Sequence, residues 1–253
     1  MAFSPEERQR YARHFDLPGF GARAQERLRA GRVMVVGCGG LGSPALYYLA
    51  AAGVGLLGLV DSDQVDVSNL QRQILHATPD IGRPKVDSAV GRLRALNPHV
   101  RLAPHAVHLT ADNARELFAP YDVILDCTDN FAAKYLINDA CIALKKTFVH
   151  AGISAFCGQL MTVVPGKSAC LRCLFPAPPP LAAPESAPTA GPLGAIPGVI
   201  GSLQAVEALK CLSGVGALLT DVLLTYDGLE TEFRPIHAQR QPACTACGAG
   251  AKT

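Results

Sequence analysis

RVMVVGCGGLGSPALYYLAAAGVGLLGLVDSD, residues 32–63, is the stretch that decides the fold of this 253-residue chain. Its apolar run 33–36 reads as a buried strand. Four glycines follow within six positions: Gly37, Gly39, Gly40 and Gly42. Leu41, Ala45, Leu46, Leu49 and Ala52 then recur at helical spacing, with Gly53 as the stop. A second apolar run, 54–60, ends at Asp61. The order is strand, tight turn, helix, strand. Glycines in such a turn let the backbone approach a phosphate, and the helix N-terminus adds free N–H groups and a positive dipole end. Asp61 stands where an acidic residue meets a ribose hydroxyl in dinucleotide-binding units. The stretch predicts a nucleotide site without specifying the nucleotide.

Upstream, residues 4–30 read as a pair of short helices, with Ser4 as cap, Pro5 in the first turn and Glu7 three residues on. Arg8, Arg10, Tyr11, Arg13 and His14 cluster there, and the pattern alone gives a solvated helix face. Downstream, Asp63, Asp66, Ser68 and Asn69 are turn and capping residues, with Arg72 close by. Pro84 and Lys85 open a helix whose apolar positions are Val86, Ala89, Val90, Leu93 and Leu96, and Pro98 ends it. A cation in a first turn opposes the helix dipole, so Lys85 is expected to face an anion from outside its helix.

Further strands are expected over 100–107, 121–127, 147–152 and 159–164, and helices over 111–118 and 131–144. Strand–helix alternation from 33 to 152 predicts an α/β fold with a doubly wound, Rossmann-like, mostly parallel sheet. Runs 222–226 and 230–235 are separated by short turns and should be antiparallel additions. In such a sheet, ligands collect outside the carboxyl ends of strands. Asp61 and the group Asp126, Thr128, Asp129 and Asn130 would share that edge, and two acidic positions beside phosphates suit Mg²⁺. Asp129 and Asn130 also read as caps of the helix over 131–144. Residues 176–198, PAPPPLAAPESAPTAGPLGAIPG, carry one charge, Glu185, and read as a flexible or extended crossover before a helix over 198–212.

Composition sets limits on this reading. With 49% hydrophobic and 17% charged residues, a single domain over 1–253 with a helical arm at 1–30 can bury a large core. A net charge of +2 argues against a nucleic-acid groove and a polybasic membrane surface. The start, MAFSPEERQRYARHF, lacks the apolar core of a secretory signal, and no apolar run is expected to reach a membrane span. A cytoplasmic chain follows, in which nine cysteines serve as thiols or metal ligands. Cys170 with Cys173, and Cys244 with Cys247, form two C-x₂-C pairs of the spacing that closes a structural Zn²⁺ site; a redox dithiol is the competing reading. Cys38, Cys127, Cys141, Cys157 and Cys211 lie in apolar segments and are expected in the core.

Several segments occur in one order: GCGGLG, Asp61, SNLQRQ at 68–73, GRPK at 82–85, DCTDN at 126–130, GVIGSLQA at 198–205, and the two cysteine pairs. Over residues 13–247 the chain thereby resembles the adenylating enzymes related to ubiquitin-activating enzyme. The resemblance is to their ThiF/MoeB/HesA branch, and most nearly to its molybdopterin-synthase adenylyltransferases. It implies that Gly37, Gly39, Gly40 and Gly42 contact ATP and that Asp61 meets the ribose. Asn69, Arg72 and Lys85 would hold the triphosphate, with Ser68, Leu70 and Gln71 alongside. Asp129 would bind Mg²⁺, with Asp126, Cys127, Thr128 and Asn130 beside it. Arg13 would reach the phosphates of the neighbouring subunit of a homodimer, and the four paired cysteines would bind structural Zn²⁺.

The implied substrate is the C-terminal Gly-Gly carboxylate of a small β-grasp sulfur-carrier protein, the molybdopterin synthase small subunit. Its attack on the α-phosphate of ATP gives acyl-AMP and pyrophosphate. Thiol-transferring relatives carry a cysteine just before the segment matching Thr189-Ala190-Gly191, whereas this chain reads Glu185-Ser186-Ala187-Pro188 there. With no rhodanese-like extension past Thr253 either, the expectation is adenylation alone, with sulfur from a separate donor protein. Three alternatives remain: a ThiS-like carrier of another sulfur pathway, a nicotinamide-dependent oxidoreductase, and a non-catalytic scaffold. The oxidoreductase leaves Arg72, Lys85 and DCTDN unexplained, and those residues argue against the scaffold.

Overall fold

Both apolar runs flanking the glycine turn lie in one eight-stranded sheet in the computed structural model, which describes residues 2–179 and 191–249. The strands are β1 (Arg32–Val36), β2 (Leu56–Val60), β3 (Arg101–His105), β4 (Val123–Asp126), β5 (Thr147–Ser154), β6 (Cys157–Val163), β7 (Val222–Asp227) and β8 (Glu232–His237). Their spatial order is β3-β2-β1-β4-β5-β6-β7-β8. The five strands from β3 to β5 are parallel, and β6, β7 and β8 add antiparallel. The chain therefore has the expected doubly wound sheet with an antiparallel extension.

Alternation along β1 explains the two layers. Val33 and Val35 face one side, packing with α4 (Gly42–Ala51), α5 (Lys85–Leu96) and α9 (Ala195–Ser213) through Leu46, Leu49, Leu93 and Ala205. Met34 and Val36 face the other, against Phe118 of α6 (Ala111–Phe118) and Ile137 of α7 (Phe131–Leu144). A strand buried on both faces reads as a continuous apolar run. Each fully buried leucine here contributes roughly 2 kcal/mol.

The N-terminal arm comprises α1 (Pro5–Arg10), α2 (Ala12–Phe15) and α3 (Gly21–Ala30). Ser4 and Glu7 form the expected capping box, each side chain taking the other's backbone N–H. The arm is fixed to the C-terminal end of α4. Gln25 donates to Ala52 O at 2.8 Å, and Asn97 donates to both the Tyr11 hydroxyl and Ala50 O at 2.8 and 2.7 Å.

Some expectations need correction. The helix after the crossover begins at Ala195, not 198, because Pro197 falls in the first turn, where its missing N–H costs nothing. At 19 residues and mean hydropathy 1.3, α9 does meet the length and composition of a membrane span; it carries Glu207 and Lys210 and is packed onto α4 and β5. The short helix α8 (Leu171–Leu174) was not expected. Cys157 is exposed rather than in the core, because it follows the β5–β6 turn, and Cys211 is half-buried. Residues 185–188 of the crossover lie outside the described residues.

Candidate nucleotide site

Parallel pairing aligns the carboxyl ends of three strands. Val36 is opposite Val60 on one side and Asp126 on the other, so Gly37, Asp61 and Cys127 leave the sheet at one edge. Gly37 turns with φ +100°, and a Cβ there would lie 2.6 Å from Cys127 O. A Cβ on Gly42 would lie 1.9 Å from Gly37 O. Only glycine lets the loop double back onto the start of α4 at these positions. Gly40 has another reason: its missing Cβ makes room for Pro197, at 3.2 Å, and for Arg72, at 3.6 Å. The first turn of α9 thus lies against the glycine loop.

Both peptides of Cys38 are held. Cys38 N–H donates to Asp61 Oδ2 at 2.7 Å, and His76 Nε2 lies 2.9 Å from Cys38 O. Asp61 Oδ1 accepts the Asp63 N–H at 2.9 Å, so the Asp61 carboxylate spans the loop and the strand exit. Within SNLQRQ, Asp66 caps a 3₁₀ turn over Val67–Asn69, and Arg72 donates to Ser68 O at 3.1 Å. Asn69 and Leu70 are half-buried, and Ser68 and Gln71 are exposed.

Lys85 does face an anion from outside its helix. That anion is Asp63, 2.8 Å away, with Lys85 7% and Asp63 64% exposed. By its sequence context Asp63 is only a turn residue. The ammonium is thus held in place by a partner that is itself mostly in solvent.

Asp126 differs from its assignment beside the nucleotide. It is completely buried, and Lys134, His150 and the Thr128 N–H and hydroxyl all engage its carboxylate. Burial opposes its ionisation, but Lys134 and the His150 hydrogen bond outweigh that and bring the carboxyl down to about 2. Lys134 also donates to Thr128 O, so this cluster holds the turn that carries Asp129. Asn130 caps α7 through Ala133 N–H at 2.9 Å. Asp129 takes no part in the cap; it is exposed and, among the described residues, without a hydrogen-bond partner. Cys127 turns its thiol inward to Gln204, 3.3 Å away. Burial pushes the Cys38 and Cys127 thiols well up, so neither is a nucleophile beside the loop.

Arg13 is not brought to this edge within its own chain. It lies exposed on α2, in the arm fixed to the far end of α4. The ten residues of α4 separate that end from the loop by about 15 Å.

The four paired cysteines do meet. Their sulfurs lie within 4.8 Å of one another, at 3.9 Å for Cys170–Cys173, 3.7 Å for Cys170–Cys244 and 3.4 Å for Cys173–Cys247. The set can hold one metal ion. Burial raises the Cys244 thiol, but backbone N–H groups of Cys247 and Ala246 outweigh it and bring it to about 7. The cluster rests on α7 through the Leu171 N–H to Asn138 and a bidentate Arg172–Asp139 pair.

Residues 11–246 match the profile of the ThiF family. The sulfur carrier protein adenylyltransferase of Thermus thermophilus is 48% identical over 253 residues, covering 98% of this chain and 93% of that protein. Adenylyltransferase and sulfurtransferase MOCS3 of Bos taurus is 48% identical over 248 residues, and the chain spans 54% of its length. Among solved structures, E. coli MccB with MccA-N7isoASN superposes with a TM-score of 0.87 at 22% identity, covering 97% of this chain and 75% of that one. E. coli MccB with ATP gives 0.83 at 23%, covering 94% and 74%. At those identities the likeness concerns the fold.

Proposed function

The chain belongs to the ThiF family, and from that premise we propose that it adenylates the C-terminal carboxylate of a small sulfur-carrier protein. The observation that carries this reading is the pairing at one sheet edge of a buried cation with an exposed, replaceable anion, beside a carboxylate, Asp129, that has no partner among the described residues. Lys85, itself buried, can exchange the solvent-exposed Asp63 for a phosphate oxygen, because the ammonium stays paired with an anion and the released Asp63 carboxylate is already 64% exposed to water. Arg72, packed against Gly40, adds a second cation over the loop.

ATP suits this donor set: a glycine loop at the start of α4, two cations and a free carboxylate. The partner's C-terminal carboxylate, ionised near neutral pH, attacks the α-phosphorus. A carboxylate oxygen–phosphorus bond forms, the bond to the bridging oxygen of the β-phosphate breaks, and pyrophosphate leaves with that electron pair. No proton moves, so the absence of a nucleophile or general base among the assigned residues is consistent with the step. Lys85 and Arg72 neutralise charge developing on the phosphates. Asp129 would hold Mg²⁺, whose charge offsets that of the polyphosphate when bound.

Arg13 would act in trans. Its place at the far end of α4 supports contact with the phosphates of a second copy in a homodimer rather than with its own loop. The four cysteines suit Zn²⁺: tetrahedral Zn–S bonds of about 2.3 Å put sulfurs about 3.8 Å apart, three of the pairs are separated by 3.4 to 3.9 Å, and all four sulfurs lie within 4.8 Å of one another. All four positions would then be filled by protein, which suits a structural role, and the chain is proposed to form a single adenylating domain.

The carrier is proposed to be a β-grasp protein with a Gly-Gly end, the small subunit of molybdopterin synthase, and the setting the cytoplasm. The sulfur carrier relative leaves a carrier of another sulfur pathway as the second reading. Residues 185–188 contain no cysteine, so sulfur is assigned to a separate donor protein. Carrier-dependent exchange of pyrophosphate into ATP tests the proposal, and the carrier with the fastest exchange selects between the readings. Failure of every Gly-Gly carrier to support exchange overturns it.

A further inference from the structure

One buried titratable group takes no part in that chemistry. His76 is 6% exposed and follows the SNLQRQ turn. Its Nε2 lies 2.9 Å from Cys38 O, and its Nδ1 lies 2.9 Å from Ser88 Oγ. A carbonyl can only accept, so Nε2 carries the proton and Nδ1 accepts from the Ser88 hydroxyl. Burial, which lowers the ring's pKa, agrees with a neutral imidazole.

What this bond does follows from peptide geometry. Cys38 C=O and Gly39 N–H belong to one planar, trans unit and point in opposite directions. Holding the carbonyl inward on His76 turns the Gly39 N–H outward. That N–H has no hydrogen-bond partner among the described residues, and Gly39 is only partly covered. A glycine beside this peptide resists rotation less than any other residue, so an external restraint is needed to keep the N–H aimed at an anion. Ser88 gives the same ring a second hold. It lies one turn along α5 from Lys85.

We propose that His76 is a positioning residue for the nucleotide. Through the Cys38 carbonyl it holds the 38–39 peptide with its N–H presented to a phosphate, and through Ser88 it fixes that loop relative to the turn carrying Lys85. This rests on the nucleotide reading above, and it adds a role to a side chain that never touches substrate.

The test compares wild type with His76→Gln, His76→Ala and Ser88→Ala. Gln can place an amide N–H near the Nε2 position; Ala cannot. Calorimetric titration with ATP·Mg²⁺, the KM for carrier in exchange, and the Gly39 amide resonance are measured on each. The expected result is an ATP affinity weakened about tenfold in His76→Ala, the order expected for one buried hydrogen bond that fixes a second. Carrier KM should stay unchanged, and the Gly39 amide should shift. His76→Gln should recover both affinity and resonance, and Ser88→Ala should fall between. Equal impairment in the Gln and Ala variants, or unchanged ATP affinity in Ala, overturns the proposal. Wild type that binds ATP but exchanges no pyrophosphate refutes acyl adenylation and leaves His76 to be judged on the titration alone.

Discussion

The parallel half of the sheet and its antiparallel extension handle polar groups in opposite ways. At the carboxyl edge of β1, β2 and β4, polar side chains form two levels. The lower level is closed: Asp126, Lys134, His150 and His76 are buried, and each is bonded to at least one neighbour. Above it, Asp129 is exposed and Lys85 is shared with an exposed Asp63. In the extension, the cysteine cluster has no such upper level. Four thiols turn toward one another, and α7 supports them. The edge proposed to receive a polyanion keeps charges exchangeable above a buried, hydrogen-bonded layer in which, among the described residues, only His150 Nε2 lacks a partner, whereas the four cysteine sulfurs face one another. The contrast can be broken by substitutions in each level.

The largest effect is expected at Asp129. Asp129→Ala should lower carrier-dependent exchange by roughly a hundredfold to a thousandfold, the range for losing one charge-stabilising group, with the melting temperature and metal content unchanged. Full activity would place the metal contact elsewhere. Next comes the closed level. Asp126→Ala leaves the Lys134 charge buried without its partner and should cost about 3–5 kcal/mol in denaturant unfolding. A cost under 1 kcal/mol would mean the cluster relaxes to water.

Cys244→Ala should strip metal from the chain and lower its melting temperature, with exchange retained in whatever stays folded; unchanged metal content would refute the shared site. The smallest effect is expected at Asp63. Asp63→Asn removes the anion that ATP would displace from the buried Lys85 ammonium and should tighten ATP binding about threefold, the modest effect expected where the displaced partner is mostly in water. Weaker binding would make Asp63 a contact rather than a competitor.

The buried groups also fix the pH response. Asp126 has its carboxyl lowered from 3.8 to about 2, so its share of stability, about 2 kcal/mol, is present above pH 3.8 and lost as pH falls through about 2. His76 and His150 are shifted in the same direction: burial lowers both, they stay neutral when folded, and stability declines as pH drops below the ordinary histidine value of 6.5. Denaturant unfolding at pH 7.5 and 5.5 should show the loss.

The elements with a repeating pattern were legible in the sequence. Helices α6 and α7 begin and end where their periodicity does, and the glycine turn, the SNLQRQ turn and the cysteine pairs sit where motif spacing puts them. What was not legible depends on contacts between distant segments. DCTDN contains two aspartates three residues apart, and nothing local says that the first meets Lys134 from α7 and His150 from β5 while the second stays in solvent. Asp63 looked like a turn residue because its partner lies 22 residues on. His76 showed no signal at all; only the fold brings Cys38 and Ser88 to its two nitrogens. Cys157 follows a hairpin turn, where neighbouring apolar residues do not imply burial.

In the proposed function, the upper level of the nucleotide edge performs adenylation while the lower level and the cysteine cluster hold it in place. That function is tested most directly by pyrophosphate exchange with a Gly-Gly-terminated carrier, run on wild type and Asp129→Ala with metal content and melting temperature measured on the same samples. The expected result is exchange that needs both carrier and ATP in wild type, and its loss in the variant at unchanged melting temperature and zinc content. Exchange that survives in Asp129→Ala, or that proceeds without any carrier, would contradict it.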